Sequence, residues 1–301
     1  MEQVIFPRPL VNGDKIAIVS PASIINPEYV SGAVDVLSRL GWNPYVAPHA
    51  LGASGSFSGT VSERLADINQ ALNDPEVRAI LCSRGGYGAV HLLDKLDSNA
   101  FEKDPKWIIG FSDISALHAY ASHHNVASIH SSMCKHLALF GEHDECSRAL
   151  IGILQGKMPE YNVEPHCYNR HGVASGKVVG GNLAVISALL ATPYSPFETR
   201  GSILVIEDIA ESIYKVERIL YQLRLAGVFD RISALIVGQF TEYRPDRNYS
   251  VMEDMIREAI SGFNFPVAFN FPVGHVDRNL PLLMSATARL DVAEDGVTLR
   301  Y

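Results

Sequence analysis

The chain has 301 residues, of which 47% are hydrophobic and 19% charged, and its formal net charge is −8. This length and composition are typical of a soluble globular protein with a sizeable core and two domains. The negative charge and the lack of a long Lys/Arg run argue against nucleic acid or an anionic membrane as a partner. Without a signal-peptide pattern or an apolar run long enough to span a bilayer, the chain is expected to be cytoplasmic.

The cysteines and histidines show no metal-site pattern. The cysteines form no Cys-x-x-Cys pair, which favours free thiols in a reducing compartment. The histidines between positions 118 and 130 have no H-E-x-x-H arrangement, so roles on a helix surface and in loops are favoured over a metal site. The two sets are Cys82, Cys134, Cys146 and Cys167, and His118, His123, His124 and His130.

Strand and helix patterns alternate along the N-terminal half. Asn26-Pro27 and the capping-box pair Thr60 and Glu63 are typical of helix starts. The alternation predicts a parallel sheet covered on both faces, with ligand sites beyond the carboxyl ends of its strands. The predicted elements are strands over 15–20, 43–47, 78–82, 107–110 and 126–129 and helices over 26–41, 60–72, 88–97 and 113–123.

Ser112 stands where the predicted strand over 107–110 turns into a helix. At such a corner a serine side chain is exposed beside the first N–H groups of the helix, which suits a nucleophile with an oxyanion site. Serine also commonly caps a helix. The stretch alone leaves both interpretations open.

A glycine-rich turn over 83–88, with the sequence SRGGYG, follows the preceding strand. Its three glycines allow a sharp turn that brings backbone N–H groups close to a ligand. The turn has neither the Gly-Lys-Ser/Thr ending of a P-loop nor the spacing of a dinucleotide fingerprint. It is therefore either a plain turn or a ligand loop that borders the same pocket as Ser112.

The pattern breaks between 158 and 171, where Pro, Asn, His and Cys occur without periodicity. We interpret this segment as a linker between an N-terminal domain over 1–157 and a C-terminal domain over 172–301. The tail predicts a hairpin of strands 284–292 and 297–301 with an Asp-Gly turn. The other predicted elements of the second half are strands over 172–180, 202–206, 232–237 and 267–269 and helices over 181–191, 213–227 and 252–260.

Two residues of the second half are candidates for chemistry. Glu207 directly follows an apolar strand, where a carboxylate would be partly removed from water. His275 comes just after a strand and a glycine. Pattern alone does not separate His275 from the other histidines of the chain, most of which are expected to be packed or solvated.

Five blocks of the chain together carry a resemblance to a known family. They are residues 83–88, 110–113, 180–183, 206–209 with Tyr214 and Arg218 beyond, and 274–275. In this order the blocks resemble the LD-carboxypeptidases, a family that also contains the microcin C immunity peptidases. The resemblance covers nearly the whole chain.

The resemblance implies an α/β fold, with an N-terminal parallel-sheet α/β sandwich and a smaller, β-rich C-terminal α/β domain. It also implies a serine peptidase with a Ser-Glu-His triad. Carried over by motif, Ser112 is the nucleophile, Glu207 the acid and His275 the base. Glu207 is preferred to Asp208 because the family's motif has the triad acid first in the Glu-Asp pair.

The chemistry of the implied reaction suggests further roles. The backbone N–H groups of Gly85 and Asp113 would bind the oxyanion of the tetrahedral intermediate. Arg84 is the nearest fixed charge that could bind the free carboxylate of a substrate. Asn182 and Glu211 are candidates for contacts with polar substrate groups, and surface helix-cap roles are equally open to them.

The substrate implied by the resemblance is a murein tetrapeptide, cut between the L-centre of lysine or diaminopimelate and a terminal D-alanine. Recycling of cell-wall fragments in the cytoplasm would fit the missing signal peptide. No metal or organic cofactor is required for this reaction, and a homodimer is expected from the family alone.

Two other functions remain open. An immunity-type peptidase would cleave an aminoacyl- or peptidyl-nucleotide and would need an aromatic side chain to stack on the base. We can assign none, since Trp42 and Trp107 both have the pattern of structural residues. A non-catalytic module that binds a small ligand is the alternative from a different class.

Overall fold

The computed structural model describes residues 3–301. They form two compact units. The first comprises the chain up to Met158 together with Leu280–Ser285, and the second comprises Pro159–Asn279 and Ala286–Tyr301. The chain therefore returns to the first unit for one short segment before its last strands complete the second.

Each unit is built around one sheet. The strands are β1 (Lys15–Val19), β2 (Asn43–Val46), β3 (Val77–Cys82), β4 (Trp107–Gly110), β5 (Ser128–His130), β6 (Glu160–Val163), β7 (Gly172–Asn182), β8 (Ile203–Ile209), β9 (Ala234–Thr241), β10 (Val267–Ala268), β11 (Leu282–Met284), β12 (Thr287–Val292) and β13 (Val297–Arg300). The α-helices are α1 (Pro27–Arg39), α2 (Val61–Asn73), α3 (Ser98–Lys103), α4 (Ser115–His123), α5 (Cys134–Phe140), α6 (Glu145–Leu154), α7 (Leu183–Ser187), α8 (Ile213–Leu225) and α9 (Met252–Ala259). Short 3₁₀ helices cover Ala89–Lys95, Ser112–Ile114 and Pro196–Glu198.

The first sheet has the strand order β11-β5-β4-β3-β1-β2 within the described residues. All its neighbours are parallel except β11, which runs antiparallel to β5. Every residue of β3 and β4 is buried, as expected for parallel strands covered on both faces. The loops after β3 and β4 therefore leave neighbouring strands at the same edge, where α/β sheets bind ligands.

Local sequence explains where the first helices start. Asn26 accepts a hydrogen bond from the Glu28 N–H, and Pro27 is the first residue of α1. Thr60 and Glu63 form the predicted capping box in front of α2. Both starts are confirmed.

The second sheet joins a parallel half to an antiparallel half, in the order β10-β9-β8-β7-β12-β13-β6 within the described chain. Strands β7 to β10 pair in parallel, whereas β12, β13 and β6 pair antiparallel. Apolar side chains of α7, α8 and α9 pack with those of β7 to β10 in one core cluster. The predicted α/β fold with a parallel N-terminal sheet is confirmed.

Several predicted elements differ from the structure. The helix expected over 88–97 is a 3₁₀ helix over Ala89–Lys95 followed by α3, and the helix expected over 181–191 ends at Ser187. The sequence analysis missed α5 and α6. The predicted linker contains β6, which pairs with β13 and so belongs to the second sheet.

The tail forms the expected hairpin of β12 and β13, but its first strand starts at Thr287 rather than at Met284. Met284 ends β11, and Ser285 has a φ of 68°, which interrupts an extended strand. One predicted strand is therefore two, in different sheets. Among residues 3–301, no helix combines the length and the apolar character needed to cross a bilayer.

Candidate active site

Ser112 lies at a strained corner between β4 and α4. Its φ is +63°, a left-handed conformation that residues with a side chain seldom adopt, and Phe111 before it is fully extended. Strain of this kind costs about 1–3 kcal/mol and persists where the surrounding structure holds it, commonly at functional sites. The turn continues into the 3₁₀ helix Ser112–Ile114, whose first N–H groups have no acceptor within the helix.

A buried histidine forms hydrogen bonds next to this corner. His118 of α4 lies 2.8 Å from the Gly110 carbonyl through Nε2 and 2.9 Å from the Ser128 hydroxyl through Nδ1. A carbonyl can only accept, so Nε2–H donates to it and Nδ1 accepts from the hydroxyl. Burial lowers the pKa of His118 to about 4, and the ring is neutral at pH 7. The interpretation of His118 as a helix-surface residue was wrong, and His130 is likewise buried, at the end of β5.

The glycine-rich turn after β3 packs directly on Ser112. A methyl group built on Gly85 would lie 2.8 Å from Ser112 Cβ and 3.0 Å from Ser112 Oγ, which is closer than real Cβ atoms pack. Gly86 and Gly88 have φ values of +111° and +121°, which glycine adopts without strain. The absence of a side chain at 85 is thus what lets this backbone approach the Ser112 hydroxyl.

Asp113 links the same turn to the corner. Its carboxylate is buried and accepts a hydrogen bond from the Ala89 N–H, with Oδ2 and N 2.8 Å apart. Burial raises the pKa of Asp113, because removal from water disfavours the charged form. The structure therefore brings together Ser112, Gly85 and Asp113 within the first unit.

Glu207 and His275 meet within the second unit. Glu207 is fully buried in β8, and its Oε2 lies 2.7 Å from Nδ1 of His275, whose side chain is 15% exposed. The carboxylate can only accept, so Nδ1–H donates and Nε2 carries the ring's lone pair. A methyl group on Gly274 would lie 2.8 Å from Glu207 Oε2, so this pair also depends on close approach of a glycine.

Burial and charge act in opposite directions on His275. Burial alone lowers its pKa, but the hydrogen bond to Glu207 and the charges of Glu207, Asp208 and Glu242 outweigh it. The pKa of His275 is therefore raised above its ordinary value of 6.5. An imidazole with such a partner is a stronger base than one in water.

The neighbouring carboxylate, Asp208, has different partners from Glu207. Its oxygens accept hydrogen bonds at 2.9 Å from the Asn182 amide and from the Ala184 and Ile209 N–H groups. Burial raises the pKa of Asp208 to about 6. Of the two carboxylates, Glu207 contacts the histidine, and Asp208 joins the end of β8 to the start of α7.

The three weaker candidates have partners of their own. Arg84 is exposed, and its Nη1 donates to the Ile24 carbonyl over 2.7 Å. Asn182 caps α7 by accepting from the Val185 N–H, a helix-cap role in a buried rather than a surface position. Glu211 forms an ion pair with Lys215 at 3.2 Å, one turn along the chain.

Comparison with known proteins identifies the family. The model of the LD-carboxypeptidase N-terminal domain matches residues 16–131, and that of the C-terminal domain matches residues 175–290. Together they cover more than half of the chain. The chain belongs to the LD-carboxypeptidase family.

Named relatives and solved structures agree with this membership. The murein tetrapeptide carboxypeptidase of Pseudomonas aeruginosa is 29% identical, over 92% of this chain and 93% of that protein. The microcin C7 self-immunity protein of Escherichia coli is 27% identical, over 97% and 94%. The crystal structure of muramoyltetrapeptide carboxypeptidase from Oxalobacter formigenes superposes with a TM-score of 0.86 at 25% identity, over 95% of this chain and 98% of that chain. The family and its relatives support a peptidase.

The structure of this LD-carboxypeptidase also contains features that are separate from the predicted site. A cavity of about 620 Å³ in the second unit lies between α9 and residues 167–170, and none of the predicted site residues lines it. Among residues 3–301, no group of three His, Cys, Asp or Glu side chains is arranged to hold a metal. Cys82, Cys134 and Cys146 are buried, whereas Cys167 is exposed.

Sequence reasoning missed two buried residues that form hydrogen bonds with the loops of the site. His118 and Arg64 are both buried and bonded to loops at the carboxyl end of the first sheet. The one indication in the sequence is that each falls on a helix bordered by apolar residues, which does not distinguish a buried polar side chain from a solvated one.

In this LD-carboxypeptidase, Gly85→Ala is expected to lower kcat about a hundredfold, because the added methyl group displaces the Ser112 side chain. Overpacking also destabilises the fold by about 1–3 kcal/mol. Gly152→Ala, in α6, is the matched control, since the nearest atom to its Cβ would be Lys157 Cδ, 3.6 Å away. That variant is expected to gain about 0.5–1 kcal/mol and keep its activity. Steady-state kinetics and denaturant unfolding test both, and unchanged kcat in Gly85→Ala would contradict the prediction.

Proposed function

We propose that this LD-carboxypeptidase is a serine peptidase that removes the terminal D-alanine from murein tetrapeptides. Ser112 is the nucleophile, His275 the general base and Glu207 the acid that orients it. The observation that carries the proposal is the strained corner that holds Ser112 against the Gly85 backbone. The bonded pair of Glu207 and His275 supplies the base that such a serine requires.

The proposed reaction has two halves. His275 Nε2 takes the proton of the Ser112 hydroxyl as Oγ attacks the carbonyl carbon, and the N–H groups of Gly85 and Asp113 bind the oxyanion. Collapse of the intermediate breaks the C–N bond, and His275 gives its proton to the departing amine of D-alanine. His275 Nε2 then takes a proton from water as the water oxygen attacks the acyl-enzyme carbonyl. The imidazolium returns that proton to Ser112 Oγ as the ester C–O bond breaks and the tripeptide acid leaves. Glu207 holds the imidazole in the required tautomer and stabilises its cation.

The family supports this substrate class, as do the names murein tetrapeptide carboxypeptidase and muramoyltetrapeptide carboxypeptidase among the similar proteins. The bond cut is the amide between the L-centre of lysine or diaminopimelate and D-alanine. A role in recycling cell-wall fragments would require the enzyme in the cytoplasm, and a homodimer is a further expectation. Light scattering of the purified protein measures its oligomeric state.

The second candidate, cleavage of a peptidyl-nucleotide, is favoured by the similarity to the microcin C7 self-immunity protein over 97% of the chain. Trp42 and Trp107 are only 5% and 3% exposed, which leaves neither tryptophan face to stack on a base. We prefer the muropeptide because the murein tetrapeptide carboxypeptidase and the muramoyltetrapeptide carboxypeptidase are among the proteins that this chain resembles.

One experiment separates these functions. The protein is incubated with a defined murein tetrapeptide and, in parallel, with a peptidyl-adenylate analogue, and the products are identified by mass spectrometry. Loss of one alanine from the tetrapeptide supports the proposal, whereas cleavage of the adenylate alone favours the immunity-type peptidase. A non-catalytic binding module would cleave neither and would not react at Ser112 with a fluorophosphonate.

Arg84→Ala is expected to lower kcat/KM on a tetrapeptide with a free C-terminus roughly ten- to hundredfold, and much less on its C-terminal amide. Charge-assisted hydrogen bonds to a carboxylate contribute about 1.5–3 kcal/mol, and the amide lacks that charge. Arg39→Ala is the control, because Arg39 is exposed in α1 and pairs with Glu142. An equal loss on both substrates would remove Arg84 from carboxylate binding.

A further inference from the structure

A single peptide unit in the glycine-rich turn is bonded at both ends by buried charged side chains. Arg64 Nη1 donates to the Gly88 carbonyl over 2.9 Å, and Asp113 Oδ2 accepts from the Ala89 N–H over 2.8 Å. This carbonyl and this N–H belong to the same peptide bond. Arg64 and Asp113 are each only 2% exposed. We call this arrangement the peptide clamp.

Arg64, the cationic half of the clamp, also donates hydrogen bonds to two other loops. Arg64 Nη1 donates to the Pro21 carbonyl after β1 over 2.5 Å, and Nε donates to the Gly59 carbonyl before α2 over 3.1 Å. Hydrogen bonds from a charged donor are roughly twice as strong as neutral ones. One guanidinium therefore satisfies carbonyl groups of three loops at the carboxyl end of the first sheet.

Glycine at position 88 is what makes the clamp possible. Its φ is +121°, and a Cβ there would lie 2.8 Å from Arg64 Nη1 and 2.9 Å from the Phe57 ring. The guanidinium carbon lies 4.9 Å from the centre of that ring, so Arg64 is packed as well as bonded. Hydrogen bonds and the contact with the Phe57 ring therefore together hold the guanidinium in place.

The anionic half connects the clamp to the reacting group. Asp113 directly follows Ser112 and belongs to the same 3₁₀ turn. Gly85, which packs on Ser112, lies only three residues before Gly88 in the clamped turn. The clamp therefore ties the end of the glycine-rich turn to the corner that carries Ser112.

We propose that the side chains of Arg64 and Asp113 are positioning residues that hold the Gly85 N–H in register with Ser112 for oxyanion binding. The inference rests on the proposed function in one respect, namely that the Gly85 N–H binds an oxyanion. Neither side chain touches the substrate. Both act through the peptide between Gly88 and Ala89, and so through the backbone of the turn.

The test compares Arg64→Met and Asp113→Ala with Arg78→Met. Arg78 is the matched control, because it is a buried arginine of the same unit that is bonded to Asp104 at the opposite end of β3. We measure kcat and KM on the tetrapeptide, the rate of Ser112 labelling by a fluorophosphonate, and amide hydrogen exchange of residues 83–89. Thermal unfolding of each variant shows whether the clamp variants and Arg78→Met lose a similar amount of stability.

Loss of the clamp is expected to lower kcat and the labelling rate about ten- to hundredfold, with KM changed less than about threefold. Exchange should accelerate within residues 83–89 in both clamp variants and not in Arg78→Met. Asp113→Asn should restore most of kcat, since its amide oxygen still accepts from the Ala89 N–H. The double variant should lose little more than the worse single one, because both side chains hold the same peptide.

Equal losses of kcat and labelling in Arg78→Met and the clamp variants, with unchanged exchange in residues 83–89, would overturn the inference. If Arg64→Met does not fold, Asp113→Ala and Asp113→Asn carry the same comparison. If the unmodified protein neither cleaves the tetrapeptide nor reacts at Ser112, the proposed function fails, and hydrogen exchange alone decides the clamp. Acceleration confined to residues 83–89 then supports it, and its absence overturns it.

Discussion

Ser112→Ala is expected to reduce release of D-alanine by a factor on the order of 10⁶, the loss that removal of the nucleophile causes in serine peptidases. Alanine keeps the Cβ that packs on Gly85 and has the same strained backbone, so the fold should be unaffected. Mass spectrometry of the tetrapeptide measures the residual rate, and fluorophosphonate labelling reports the hydroxyl. Ser122→Ala, at the other end of α4, is the control and should behave as the unmodified protein.

A second substitution separates the proposed role of Ser112 as nucleophile from the backbone strain at position 112. Ser112→Gly should be as inactive as Ser112→Ala, but about 1 kcal/mol more stable, because glycine adopts a φ of +63° without the Cβ clash. Denaturant unfolding compares the two inactive variants. Ser112→Gly less stable than Ser112→Ala would show that the corner is unstrained, and substantial activity in either variant would remove Ser112 from its role.

The contact between Gly85 and Ser112 could be anticipated because it follows from a simple rule of parallel sheets. Strands β3 and β4 are largely apolar runs, and the predicted strands differ from those of the structure by at most one residue at either end. Neighbouring parallel strands deliver their carboxyl-end loops to one edge. Two loops that follow consecutive strands therefore come close, even though Gly85 and Ser112 share no local sequence pattern.

Other parts of the fold have no local pattern from which to predict them. Strand β11 has three residues, too few to show a period, and it pairs with β5 from a distant part of the chain. Strand β6 lies in a segment without periodicity and is a strand because β13 pairs with it. Short strands of this kind are set by tertiary pairing rather than by intrinsic preference.

The buried polar residues behind the site could not be predicted for a related reason. Arg64 lies in a helix with the usual alternation of apolar and charged residues, where an arginine ordinarily faces water. Its burial depends on carbonyl groups of three loops, which are distant in sequence. The pair Glu207-Asp208 is different, because strand geometry turns its two side chains to opposite faces and the resemblance to the family already implied that Glu207 is the partner of the histidine.

Glu207→Gln is expected to lower kcat about 10³- to 10⁴-fold, because the amide no longer fixes the imidazole tautomer or stabilises its cation. The pH profile should change as well. His275 must be neutral to accept a proton. Because its pKa is raised, activity should appear only at pH values near or above that pKa. Loss of the carboxylate lowers the pKa of His275, and the acid limb of kcat/KM should move to lower pH.

The raised pKa of His275 should also make the stability of the fold decrease as the pH rises. The pKa of His275 is raised in the folded state, so its contribution to stability is complete below the unfolded pKa and is lost as pH rises through the folded value. The stability difference between the unmodified protein and Glu207→Gln should therefore be larger at about pH 6 than at about pH 9, as measured by denaturant unfolding.

Glu242→Gln separates the charge effect from the hydrogen bond. Glu242 is exposed, and its charge also raises the pKa of His275. Its effect is smaller than those of Glu207 and Asp208. Its removal should shift the acid limb slightly in the same direction and leave the plateau of kcat unchanged. An acid limb that stays fixed, or moves to higher pH, in Glu207→Gln would mean that His275 is not the group whose ionisation controls the reaction.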